Sequence, residues 1–74
     1  MIRAVVIYGP PASGKTLHSA ALARHYGCIA IEDGWEPCMG LVPGALHLTT
    51  VPVRGGVPIE DALRAAGIQV GAGP

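Results

Sequence analysis

Ile2-Arg3-Ala4-Val5-Val6-Ile7-Tyr8, followed by Gly9-Pro10-Pro11-Ala12-Ser13-Gly14 and then Lys15-Thr16-Leu17-His18-Ser19-Ala20-Ala21-Leu22-Ala23-Arg24-His25-Tyr26, is the stretch that decides the fold. Its first seven residues are apolar and β-branched apart from Arg3, which predicts a strand buried on both faces of a parallel sheet. Gly9 to Gly14 break that strand with turn chemistry. From Lys15 to Tyr26, Leu17, Ala20, Ala21 and Leu22 predict a helix of about three turns with an alanine-rich inner face, ended by Gly27. Cys28-Ile29-Ala30-Ile31 predicts a second strand, stopped by Glu32, Asp33 and Gly34, so the first half of the chain reads as a βαβ unit.

Outward from that unit the signals are weaker. Gly34, Trp35, Pro37, Gly40, Pro43 and Gly44 predict a loop without regular structure over residues 33–44. Ala45 to Val51 reads as a third strand, with Leu46 and Leu48 on one face and His47 and Thr49 on the other. Val57 to Gly67 reads as a second helix. Pro58 suits its first position, Glu60 and Asp61 its positive end, and Ile59, Ala62, Leu63 and Ala66 its buried stripe. Glu60 and Arg64 are placed to pair at i,i+4. Ile68 to Val70 reads as a brief edge strand and residues 71–74 as a loose tail. The expected architecture is a single α/β domain over residues 1–70, with a three- or four-stranded, mostly parallel sheet and two helices.

Gly9-Pro10-Pro11-Ala12-Ser13-Gly14-Lys15-Thr16 matches G-x-x-x-x-G-K-[ST] in full, the Walker A pattern. The flanks fit the mechanics of such a loop. A buried strand precedes it and a helix follows, so consecutive backbone N–H groups and the positive helix end would wrap a phosphate. From average residue usage a chance match in a chain of this length has a frequency of about 0.2%, and the glycine excess raises it to about 1%. Through this motif, residues 2 to about 33 resemble the P-loop NTPase superfamily. The layout of the whole chain is similar to small stand-alone P-loop proteins of bacteriophages and prophages.

The resemblance implies a site for ATP or another nucleoside triphosphate with Mg²⁺. Gly9, Pro10, Pro11, Ala12, Ser13, Gly14, Lys15, Thr16 and Leu17 would form the binding segment. Lys15, the only lysine in the chain, would reach the β and γ phosphates, and the Thr16 hydroxyl would ligate the metal. The superfamily has an acid at a later strand end that holds Mg²⁺ through water. Here the apolar-then-acid form Ile29-Ala30-Ile31-Glu32-Asp33 occurs on the strand directly after the loop helix, which makes Asp33 and Glu32 candidates for the metal. In kinases resembling shikimate kinase, an acid at that place touches the acceptor or metal, the second role for Asp33.

Ligands of open parallel sheets bind beyond the carboxyl ends of the strands. Thr49 stands at such an end and resembles the polar residue that orients the attacking water in AAA+ ATPases. Arg54, between Val53 and Gly55-Gly56, is expected at the same edge, where it would swing toward a phosphate. Trp35, the only tryptophan, stacks on a base or packs over the sheet. His18 and His25 read as surface residues of the first helix and His47 as strand filler. Three functions follow: a nucleotide-binding module with weak or partner-dependent hydrolysis, a minimal kinase using Asp33, and an interaction protein with a relic phosphate loop. No Asn-Lys-x-Asp pattern marks a guanine site.

Composition bounds the partners. The 74 residues carry five Lys plus Arg and five Asp plus Glu, a net charge of zero. That excludes the basic stripe of a nucleic-acid groove and a polybasic membrane anchor. The longest uncharged stretch, Pro37 to Val53, is cut by three prolines and two glycines, where a spanning helix needs about 20 apolar residues. No secretory signal is evident at Met1, so the cytoplasm is the expected compartment. Cys28 and Cys38 match no zinc spacing and read as free thiols. A charge-poor surface on a chain short for this fold predicts a homodimer or larger assembly.

Overall fold

A computed structural model describes residues 4–10 and 17–68. Four parallel strands lie in the order β2-β3-β1-β4: β1 is Val5–Tyr8, β2 Ala30–Glu32, β3 Ala45–Thr49 and β4 Val57–Pro58. Two helices complete the α/β fold, α1 at Ser19–Tyr26 and α2 at Ile59–Ala65. The register Val5↔Leu46 and Ile7↔Leu48 puts four apolar side chains on one face of the sheet. Both helices pack on that face. Leu22 and Ala23 of α1 and Ile59, Ala62 and Leu63 of α2 close a single core over it. Each fully buried Leu or Ile there stabilises the fold by about 1.5–3 kcal/mol relative to exposure.

Among the described residues no helix covers the opposite face. Val6 and Tyr8 are only half-buried there, so β1 is not sealed on both sides as its apolar run suggests. Trp35 takes the place of a helix: it is buried, its indole meets the His47 ring edge-on at 5.1 Å, and its Nε1–H donates to the Gly40 carbonyl at 2.7 Å. His47 is far more than strand filler. It is fully buried, its Nε2 accepts from the Val42 N–H at 2.9 Å, and its Nδ1 lies 3.0 Å from the Val5 carbonyl. An acceptor at Nε2 and a donor at Nδ1 is the pattern of one neutral tautomer.

Several elements depart from the sequence expectation, each for a local reason. In α1, Leu17 and His18 form a turn and the helix starts at Ser19; Lys15 and Thr16 lie outside the described residues. Its inward stripe is Ser19, Leu22, Ala23 and Tyr26, because the helix rests over Leu46, while Leu17, Ala20 and Ala21 face solvent. Gly27 ends it in the left-handed region at φ 72°, where a side chain is strained. β2 starts two residues late because the Cys28 N–H still donates to Ala23 of the helix end. The 33–44 segment contains one 3₁₀ turn, Pro37–Met39, opened by a Glu36 capping box. β3 ends at Thr49, two residues short of Val51.

β4 is the largest departure, since Val57 and Pro58 pair with Ile7 and Tyr8 instead of opening the helix. A proline without an N–H is tolerated there because β4 is an edge strand. Pro58 is thus the cap residue of α2. On α2, Arg64 stands 3.6 Å from Asp61 at i,i+3, not on Glu60. Ile68 follows Gly67 as non-strand chain packed against the core, and residues 69–74, with the remaining edge-strand and tail expectations, lie outside the described residues.

Gly56 shows how closely the uncovered face is packed at its rim. A Cβ added there would stand 3.0 Å from Tyr8 Cδ2 and 3.1 Å from the Val53 carbonyl oxygen, which the Gly56 N–H already holds at 2.9 Å. Gly56→Ala is expected to destabilise by about 1–3 kcal/mol through overpacking. A urea melt checks it, and an unmoved midpoint would show that the turn yields freely.

Candidate functional site

The topology concentrates the chemistry at one edge. The chain leaving β1 must cross β3 to reach β2, and the chain leaving β3 must cross β1 to reach β4, so the connections diverge between β1 and β3. At such a switch point the carboxyl ends of the strands open a crevice. β1 and β3 stay joined to the end of the sheet, where the buried Gly9 donates its N–H to the Thr49 carbonyl at 3.1 Å. Pro10 is exposed, and the described chain resumes at Leu17. Pro11, Ala12, Ser13, Gly14, Lys15 and Thr16 lie outside the described residues.

Two clefts flank the end of β3. One, of about 320 Å³, is lined by Tyr8, Gly9, Pro10, Thr50, Pro52, Pro58, Ile59 and Glu60. The other, of about 430 Å³, is lined by Asp33, Gly34, Trp35, Glu36, Leu48, Thr49, Thr50 and Val51. Asp33 reaches this second cleft because β2 ends at Glu32 and the chain turns at Asp33-Gly34, after which the Trp35 N–H donates to the Leu48 carbonyl at 2.9 Å. Asp33 is exposed. Glu32, one residue earlier, sits in register with His47 on the face without helices and lines neither cleft.

The other expected site residues are distributed differently. Thr49 is buried, and its Oγ1 accepts from the Val51 N–H at 3.2 Å, so its hydroxyl is engaged in its own turn. Thr50 is the exposed hydroxyl, shared by both clefts. Arg54, expected at the carboxyl edge, lines a groove with Ala4, Val5 and Val6 instead. The reason is steric. β4 begins beside Ile7, so the loop before it runs back along β1 past the start of the ladder. Trp35 lines the acidic cleft with its indole already committed to His47 and Gly40. Leu17 is 81% exposed.

Glu36 and Glu60 are the acidic cleft residues that the sequence reading passes over. Glu36 stands three positions after Asp33, but in a Gly/Pro-rich stretch no periodicity says which acids return to the same edge. Among the described residues no three His, Cys, Asp or Glu come together as a metal site. A single carboxylate is nonetheless a fit donor for Mg²⁺, which keeps several waters and is commonly held by one or two carboxylates plus phosphate oxygens. None of the described helices is long and apolar enough to cross a membrane. In comparisons with protein-family models, curated proteins and solved structures, no match to this chain was found.

Proposed function

We propose that the protein binds a nucleoside triphosphate, ATP in the first instance, with Mg²⁺ at the carboxyl edge of its sheet. The observation that carries the reading is that the full G-x-x-x-x-G-K-[ST] stretch joins the end of β1 to α1 at the point where the strand connections diverge. In this reading the backbone from Gly9 to Thr16 cradles the phosphates, Lys15 neutralises the β and γ oxygens, and Thr16 and Asp33 hold the metal through oxygen. Mg²⁺ supplies charge neutralisation along the leaving phosphate. Hydrolysis is slow or depends on a partner, because Thr49 is engaged in its own turn and Arg54 stands off the edge. The cytoplasm is the compartment in which such a binder would meet its ligand.

A second reading, a minimal kinase, is favoured by the acidic cleft, whose Asp33 and Glu36 would receive a hydroxyl or amine acceptor. Trp35 offers a direct test of the first reading, since the sole indole lines a cleft at the same edge. Titration with Mg·ATP is expected to change its emission saturably and to raise the thermal midpoint. At nucleotide on the 1 mM scale, well above a weak binder's dissociation constant, no change in either signal would retire the reading.

A further inference from the structure

The two edges of the sheet are protected very differently. β4 is two residues long and ends in Pro58, which cannot donate to a ladder. β2 has no such guard. From Cys28 to Gly34 it carries no lysine or proline, the residues that most often blunt an edge, and its only charges, Glu32 and Asp33, stand at its carboxyl end. It also presents Ile29, 84% exposed, and Ile31, 39% exposed, beside a groove of about 470 Å³ shared with Ala20, Ala23 and Arg24 of α1.

We infer that the open edge of β2 pairs with β2 of a second copy, antiparallel about a two-fold axis at Ile31, joining two sheets into one of eight strands. Three features select this occupant and register. First, pairing β2 with the β4 edge of another copy would propagate an open filament, and Pro58 with so short a strand opposes it. Second, centring on Ile31 sets Ala30 against Glu32 of the second copy and Ile29 against its Asp33, so no carboxylate faces a carboxylate. Centring on Glu32 would place like charges directly opposite. The chosen register also brings the acidic end of one strand to the groove at whose amino end Arg24 stands.

Third, the helices fit. α1 packs over β3 and β2, so with strands about 4.8 Å apart the dyad brings the two α1 axes to roughly 10 Å, near the packing distance of helices. The faces that meet are those of Leu17, Ala20, Ala21 and Arg24, which the core leaves exposed. The arrangement has a consequence for function. An antiparallel join points the two carboxyl edges in opposite directions, so one subunit cannot complete the other's phosphate site across this interface.

Cross-linking tests the register. Directly opposed antiparallel residues have Cα atoms about 4.5–5.5 Å apart, within disulfide reach. With Cys28 and Cys38 replaced by Ser, Ile31→Cys is expected to form an interchain disulfide under mild oxidation, and Met39→Cys, on the other exposed apolar patch, is not. In sedimentation the unmodified chain should run as a dimer at tens of micromolar, and Ile31→Lys as a monomer with an unchanged circular dichroism spectrum. Ile29→Asp is the safeguard if Ile31→Lys misfolds: Ile29 precedes β2 in its own sheet, and an aspartate there would face Asp33 of the second copy, so the dimer should weaken at least tenfold. A monomer at 100 micromolar, or a dimer that Ile31→Cys fails to cross-link, would overturn the inference.

Discussion

Lys15→Ala is expected to abolish stabilisation by Mg·ATP while leaving the apo protein's melting unchanged. A ligand present at 100 times its dissociation constant, and bound only by the folded chain, adds about 2.7 kcal/mol. For a domain this small that is roughly 10–20 °C of thermal midpoint, so the unmodified chain should show a shift that the variant loses. The expectation is this large because Lys15 is the chain's only lysine and because Arg54, the other cation that the sequence suggests for the carboxyl edge, lines the groove along Ala4 to Val6. The described residues lining the two clefts at the carboxyl edge include no cation. Asp33→Asn gives the contrast. It should retain nucleotide binding and lose phosphoryl transfer if the kinase reading holds, and equal loss of both would argue against an acceptor role. Scanning calorimetry with and without Mg·ATP measures the first arm, and a shift that survives in Lys15→Ala would mean that the nucleotide binds elsewhere.

The sequence made the scaffold of this site more readable than its walls. Gly9 after a β-branched run, and Gly27 after a helix, are punctuation with a direct backbone cause, so β1, α1 and their order could be read locally. β4 could not, because Val57-Pro58 carries the signal of a helix start and becomes a strand only through pairing with Ile7 and Tyr8, a contact about 50 positions away in the chain. The same non-local pairing carries Arg54 away from the edge where its linear position suggests it belongs. Asp33 was legible as a strand-end acid, whereas Glu36 and Thr50 reach the cleft through the path of irregular chain. His47 is the clearest case of hidden information. A histidine in an apolar strand reads as filler, and its role depends on Val5, Val42 and Trp35, which share no periodicity with it.

His47→Leu is expected to lower stability by about 1–3 kcal/mol, although leucine is apolar, similar in size and a good core residue. The ring is a buried two-way connector: Nδ1–H donates to the Val5 carbonyl of β1, and Nε2 accepts the Val42 N–H of the covering segment. Leucine would remove both bonds, at the buried Val5 and at the exposed Val42. A bond lost at a buried group costs about 1–3 kcal/mol, a large part of the roughly 3–5 kcal/mol that a domain of this length has to lose. The loss should not be confined to the ring's own site. Trp35 rests edge-on against His47, and the chain around Trp35 brings Asp33 and Glu36 to the carboxyl edge. Loosening that cover would therefore expose the indole, seen as a red shift of its emission, and disperse the acidic cleft before the α1 and α2 face melts. His47→Gln, whose amide offers a donor and an acceptor, should lose less than His47→Leu. A His47→Leu variant that unfolded cooperatively at the unmodified midpoint would show that the two hydrogen bonds do not hold the cover to the sheet.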